Sequence, residues 1–405
     1  MSTVEFASKL RDRWSTEELV ARIGIVLGLF AFVVALPAVS KHISWFPPTA
    51  REAWWPALIG LVATGAGIWA VTRGVTRLGW TAVGMGIVGI GMGILATRAS
   101  EGNLGVVVVW SALLSATLVW ATPLTFAAIG GMICERSGVV NIGLEGMMLA
   151  GAFFGALGAD KFGSWPMGLL CAGLAGGGFA LIHAYMSIHL RADQIVSGTA
   201  INFLALGVTG YFFIQVYGAN GTPGDIPRIP EMPKLDLLGD VFGHLNVMIW
   251  VSFVLLILAH ILLFRTPIGL RIRAVGEHPR AADTVGISVY GVRYAAVVMS
   301  GILAALGGAY LSIGYLGSFS ENMTAGRGFI ALAAVIFGNW RPFGAFAAAL
   351  LFGASTALSF RLAQPWGNAS VLFQALPYVL TLIAVAGVIG RSTPPAAAGR
   401  PYVKQ

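Results

Sequence analysis

The sequence predicts an all-α fold, a polytopic bundle of transmembrane helices. Apolar residues fill 57% of the 405 positions and charged residues only 10%, where soluble domains carry about 25% charged residues. The mean hydropathy is +0.81. The apolar residues come in blocks close to the length of a bilayer crossing, about 20 residues.

The blocks run 23–39, 55–71, 80–96, 106–134, 143–159, 166–188, 194–217, 247–264, 293–317, 328–340, 343–362 and 371–390, which gives about 11 or 12 spans. Block 23–39 follows a polar lead of mixed charge, residues 1–22. That lead is long for a signal peptide, and Ala38-Val39-Ser40 resembles a cleavage site only faintly, so the block reads as a retained first helix. Pro123 interrupts block 106–134, which is either one long helix or an interfacial piece followed by a span. Block 328–340 is short for a crossing and reads as a broken or re-entrant helix.

The net charge of +8 sits mostly in short connectors between apolar blocks. That placement fits positive-inside topology and argues against nucleic-acid binding. Connector 265–293 carries Arg265, Arg271, Arg273, Arg280 and Arg293 against Glu277 and Asp283, so it is expected on the cytoplasmic side. Connector 218–246 carries Asp225, Glu231, Asp236 and Asp240 against Arg228 and Lys234, among many Gly and Pro residues. It is expected to be irregular and external. One span separates the two, so the assignments agree; both termini are expected inside, the tail with Arg391, Arg400 and Lys404 on condition that 328–340 crosses.

Gly24/Gly28, Gly89/Gly93, Gly151/Gly155 and Gly173/Gly177 are paired at helical spacing, which lets helix backbones approach closely in lipid. Ala127-Ala128-Ile129-Gly130-Gly131 resembles Ala304-Ala305-Leu306-Gly307-Gly308. Each is followed by a polar interruption, a weak sign of the two related halves that transporters often contain. Cys134 and Cys171 lack metal-ligand spacing and read as buried small hydrophobes.

The chemistry-bearing residues gather at three places. Segment 134–147 sets Glu135, Arg136, Asn141 and Glu145 between apolar blocks, with Gly138, Gly143 and Gly146 permitting a non-helical turn. Ionisable groups at membrane depth are costly and usually face a cavity or a partner. Glu135 and Arg136 read as a structural pair, Asn141 and Glu145 as part of a translocation or gating element. Segment 320–328, with Glu321 and Arg327, is the counterpart in the second half; the two charges either line the outer mouth or form a salt bridge with each other. Segment 267–287 is amphipathic, and Pro279 suits the first turn of a short helix. It reads as a docking element. The chain has no G-x-x-x-x-G-K-[ST], H-E-x-x-H or C-x-x-C, so P-loop binding of ATP is not expected. The six histidines are scattered.

Segments Glu135–Met148, Gly269–Ile287 and Gly326–Gly338 resemble the permease subunits of ABC importers for nucleosides and simple sugars, above all the branch served by a lipoprotein receptor of the basic-membrane-protein type. The resemblance spans roughly 111–391. It implies that Asn141, Gly143, Glu145, Gly326 and Arg327 border the substrate pathway. It implies that Arg273, Gly276, Glu277, His278, Pro279, Arg280, Ala281 and Ala282 form the coupling loop that enters a cleft on the ATPase. His278 stands where the family usually has Asn, and Asn339-Trp340-Arg341 replaces a more common Lys-Trp-Asn.

The division expected is an N-terminal extension, 1–104, with about three spans, a permease domain, 105–391, and a cytoplasmic tail, 392–405. The implied function is import of nucleosides through the cytoplasmic membrane by alternating access, with no catalysis by this chain and no cofactor of its own. The implied partners are an ABC ATPase that binds the ATP, a second, paralogous permease and an extracytoplasmic substrate-binding lipoprotein. A simple-sugar permease is the nearest alternative. An ion-coupled carrier, with Glu145 moving a proton, is more remote.

Overall fold

In the computed structural model, long apolar runs form helices because a helix satisfies its own backbone hydrogen bonds, the requirement that lipid imposes. The structure describes residues 16–39, 55–100, 110–218, 221–232, 245–363 and 393–404. Among these, seven helices are long and apolar enough to cross a membrane. The expected span 371–390 lies outside the described residues.

The chain divides into two compact units, Met1–Leu114 with Ser355–Arg391, and Ser115–Ala354 with Ser392–Gln405. In the first, α1 (Thr16–Val39), α2 (Trp55–Thr72) and α3 (Thr76–Ser100) pack on small residues. A Cβ added at Gly28 would meet the backbone of Met85 at 2.7 Å, and one at Gly60 would meet Ile90 N at 2.5 Å. The glycine spacing seen in the sequence therefore marks close helix contacts.

The second unit begins within α4 (Trp110–Arg136). Block 106–134 is one helix that carries Pro123 inside it, not an interfacial piece plus a span. Pro123 cannot donate to the carbonyl four residues earlier. The hydroxyls of Thr122 and Thr125 donate to the Leu118 and Ala121 carbonyls on either side of that gap, at 2.7 and 2.8 Å. Then follow α5 (Leu144–Phe162), α6 (Trp165–Ala184) running on into a wider turn at Tyr185–His189, α7 (Gln194–Tyr217) and α8 (Val247–Arg265). Asp193 and Asn246 cap α7 and α8 through their side chains, as short polar side chains do for orphan N–H groups. The connector between α8 and α11 is itself helical, as α9 (Pro267–Glu277) and α10 (Pro279–Thr284). α11 (Val289–Ala309) runs on into Tyr310–Leu316, and α12 (Arg327–Phe337) and α13 (Pro342–Ala363) follow.

α4 and α11 run antiparallel and touch reciprocally. Gly130 lies on Ser300 and Leu303, while Gly307 lies on Pro123 and Phe126. α5 runs parallel to α11, with Gly151 on Ala305 and Gly155 on Ala309. The two Ala-Ala-x-Gly-Gly segments therefore sit on oppositely directed helices. Each helix is followed by an irregular stretch, 137–143 or 317–326, that leads into a new helix. Two interrupted halves of opposite direction are the pattern of inverted repeats.

Candidate functional site

The two irregular stretches meet. α5 begins at Leu144, level with the middle of α11, where the Met147 sulfur lies near Gly301. α12 begins beside it. The Glu145 carboxylate accepts from Gly326 N at 2.7 Å with Oε1 and from Gly328 N at 2.6 Å with Oε2. It is buried. Gly326 has φ +84°, a left-handed conformation natural for glycine. A Cβ on Gly328 would run into the Glu145 backbone. Two helix N-termini thus share one carboxylate, which suits the positive end of each helix dipole.

The first stretch is held by side chains from three helices. Val140 N donates to Gln194 Oε1 at 2.7 Å and the Val140 carbonyl lies 3.1 Å from His183 Nε2. Gly146 N donates to Asn202 Oδ1, and Asn202 Nδ2 donates to the Ile142 carbonyl. Asn141 is fully buried and its Nδ2 donates to Ser300 Oγ at 3.0 Å. The His183 ring is in turn 2.9 Å from Ser197 Oγ. Non-helical backbone inside the bundle is thereby satisfied by polar side chains. Gly143 packs against Gly198 and Ile201.

The sequence singles out Asn141, Gly143, Glu145, Gly326 and Arg327, and the structure brings Glu145 onto the turn that holds Gly326 and Arg327. Sequence reasoning missed His183, Gln194 and Asn202. A usable signal exists in α7. Gln194, Ser197, Gly198, Ile201 and Asn202 recur at helical spacing in an otherwise apolar helix, and they mark the face turned to the first break.

Arg327 closes on its own turn. Its guanidinium donates to the Met323 and Thr324 carbonyls and lies 5.1 Å from the centre of the Trp120 ring. Trp120 in turn meets Tyr315 edge to face, 5.1 Å between centres. An aromatic and cationic group thus stands beside the polar break.

Glu135 and Arg136 do not form the pair expected of them; both close on Trp340. The Trp340 indole N–H donates to Glu135 Oε2, and Arg136 donates to the Trp340 carbonyl at 2.8 and 3.0 Å. Asn339 and Trp340 have φ of +51° and +52°, where side chains are crowded by backbone. The two charged residues hold this strained turn between α12 and α13.

Connector 265–293 lies against the same end of α4, where Gly276 meets the Arg136 carbonyl. Thr266 caps α9, with Pro267 in its first turn. Pro279 opens α10 as its first residue, as expected from the sequence. His278 is the exposed joint, and Arg280 and Ala281 are exposed on α10. Ala282 is buried with Val275, Val289 and Tyr402. Arg273 lies over Phe264 at 5.1 Å. Gly276 is pressed on the Arg136 carbonyl and has no room for a Cβ. The Tyr402 hydroxyl donates to Asp283 at 2.8 Å. Burial, and then the Asp283 carboxylate, raise that hydroxyl above the usual tyrosine range, so it stays a donor.

The connector 218–246 leaves from the far end of α8. Its described part packs on the end of α11 and the second break. Ile229 N donates to the Ile313 carbonyl and Phe319 N to Thr222 Oγ1.

A bundle that holds, among the described residues, seven helices long and apolar enough to cross a membrane, with two opposed interrupted halves, is that of a multi-pass membrane protein. Residues 113–385 match the family described as the branched-chain amino acid transport system / permease component, and the chain belongs to that family. It is similar to the guanosine ABC transporter permease protein NupQ of Bacillus subtilis, 44% identical over 74% of this chain and 99% of that protein. It is also similar to the nucleoside ABC transporter permease protein NupC of Lactococcus lactis, 41% identical over 71% of this chain and 95% of that protein. A third relative, TsgC13 of Haloferax volcanii, is described as a candidate glucose ABC transporter permease protein and is 36% identical over 62% of this chain and 77% of its own length. The same Bacillus and Lactococcus strains each hold a second, more distant matching permease, 25% and 26% identical to this chain. No solved structure matches the chain.

Proposed function

We propose that this chain is a permease subunit of an ATP-driven importer that carries nucleosides through the cytoplasmic membrane. The observation that carries this reading is similarity to two nucleoside permeases over 99% and 95% of their lengths. α10 fits the part of a coupling helix: a short helix, opened by Pro279, with Arg280 and Ala281 on its exposed side. The basic connector that holds it is assigned to the cytoplasm by positive-inside topology, and both termini with it.

The partners follow from what the chain would need. ATP is bound by a separate ABC ATPase, so this chain requires no cofactor. A receptor on the outer face, a lipoprotein in the branch it resembles, delivers substrate to connector 218–246. A second permease completes the pathway, and the pairs of matching permeases in Bacillus and Lactococcus favour a paralogous partner over a second copy.

ATPase closure pushes α10, and Gly276 passes that load to the Arg136 carbonyl and the first break. Glu145 ties that break to α12, so both interrupted halves respond together. Work is done by changing the relative stability of inward- and outward-open states. Nucleosides are neutral and flat-faced, which suits Trp120, Tyr315 and the amide-rich break around Asn141 better than fixed charge.

Uptake of labelled guanosine, with competition by unlabelled nucleosides and by glucose, tests the reading in cells with and without the gene. Uptake lost with the gene and blocked by nucleosides alone supports it. Competition by glucose alone would move the assignment to sugars, the reading favoured by the Haloferax relative. ATP-independent uptake would move it to an ion-coupled carrier.

A further inference from the structure

The C-terminal segment, expected to be a cytoplasmic tail, is docked on the helices of its unit. Ala397 N donates to the Gly276 carbonyl at 2.9 Å, and Ala396 N to the Glu277 carboxylate at 3.2 Å. The Tyr402 hydroxyl reaches Asp283 in α10. Arg293, at the start of α11 and only 1% exposed, donates to the Arg400 carbonyl at 3.1 Å. Thr393 N donates to Asn339 in the α12–α13 turn at 3.1 Å. The segment therefore bonds to the end of α9, to α10, to the start of α11 and to the turn that Glu135 and Arg136 hold.

Its sequence suits docking. Pro394, Pro395 and Pro401 narrow the conformations the free segment can take, which lowers the entropy lost on ordering. The segment makes its own turn, with Ala398 N donating to the Pro395 carbonyl and Arg400 N to the Ala397 carbonyl. Gly399, at φ +75°, completes it. Tyr402 is only 6% exposed and packs with Val275, Ala282 and Val289. It also lies edge to face on Tyr290, 5.7 Å between centres. A solvated tail would not bury its one aromatic ring. The first break lies directly beneath, since a Cβ on Gly138 would sit 3.3 Å from the Ala397 carbonyl.

We propose that residues 393–404 are a positioning strap that clamps α9–α10 against the first break, so that load on α10 moves the break instead of bending the connector. The proposal rests on the importer reading and adds to it a coupling part made by the chain's own C-terminus. Tyr402 is its key positioning residue, acting through Asp283 on α10.

The test uses the assembled transporter with its ATPase in proteoliposomes and reads nucleoside moved per ATP hydrolysed. Tyr402→Phe keeps the ring packed and deletes one hydrogen bond to a carboxylate, worth about tenfold in an equilibrium. The expected result is that Tyr402→Phe and deletion of 393–405 still assemble with the ATPase and hydrolyse ATP. Transport per ATP falls several-fold in the first and further in the second. Asp283→Ala combined with Tyr402→Phe should be no worse than either alone. A merely structural tail would lower protein yield, hydrolysis and uptake together and leave the ratio intact. If the deletion fails to fold, Tyr402→Phe decides alone. An unchanged ratio in Tyr402→Phe overturns the strap while the importer stands. Uptake without ATP overturns both.

Discussion

Glu145 accepts from the N–H groups of Gly326 and Gly328, so one side chain closes the N-terminus of α12. Glu145→Ala would orphan both donors in a buried setting, a cost of about 1–3 kcal/mol each. The expected result is a clear drop in melting temperature of the detergent-solubilised protein, with Glu145→Gln milder because one acceptor oxygen remains. A proton carrier would behave differently, since Glu145→Gln would then abolish a pH dependence of uptake while leaving the melt unchanged. Trp340→Phe makes a second case. It removes the indole donor from the buried Glu135, and a buried acceptor left without its partner costs about 1–3 kcal/mol. The melt should fall by that order, and an unchanged melt would show that the strained turn is held otherwise. Asn141 and Glu145 were legible because a polar group in an apolar run is conspicuous. His183 was not, because it is a single polar residue in an ordinary helix; Gln194 and Asn202 left only a spacing in α7, and the fold is what shows that all three serve the same stretch of backbone. Nor could the partner of Glu135 be read, since Trp340 is 205 residues away.

The eleven residues of α12 are too few to cross a membrane, and that shortness showed in block 328–340. The block did not show that α12 starts against α5. Whether Pro123 broke its helix was also beyond the sequence, because the answer depends on threonine hydroxyls and packing around one carbonyl. α10 was legible from Pro279 alone, whereas the docked tail was not, because its bonds other than that of the Tyr402 hydroxyl run through its backbone groups, which carry no sequence signal. The structure also separates two residues that the sequence treats alike. Both are exposed, but Glu277 receives Ala396 N from the tail, while Arg280 stands on α10. Arg280→Glu should therefore uncouple by weakening attachment of the ATPase, seen as lost co-purification with a normal melt. Glu277→Ala should leave attachment intact and lower transport per ATP. Loss of co-purification in both would return Glu277 to the docking surface.

For the whole molecule, the two connectors joined by α8 must open on opposite sides of the membrane, since α8 is a single helix of 19 residues, about 28 Å long. Their charges differ in the sense that topology requires. Residues 265–293 hold five arginines against two carboxylates, whereas Asp225 and Glu231 stand in the described part of the other connector against Arg228. Lys and Arg in short connectors resist translocation, which is the ground for proposing that the arginine-rich side lies inside. On that proposed topology the docked C-terminal segment, bonded to α9 and α10, shares the cytoplasm with them. Asp225 and Ala281 are both exposed and take no part in the bonds that hold the breaks. With Cys134 and Cys171 replaced by alanine, a cysteine at Asp225 should react with a membrane-impermeant maleimide in intact spheroplasts, and one at Ala281 only after permeabilisation. The reverse pattern would place α10 outside, remove it from reach of any cytoplasmic ATPase, and take the coupling role of the strap with it.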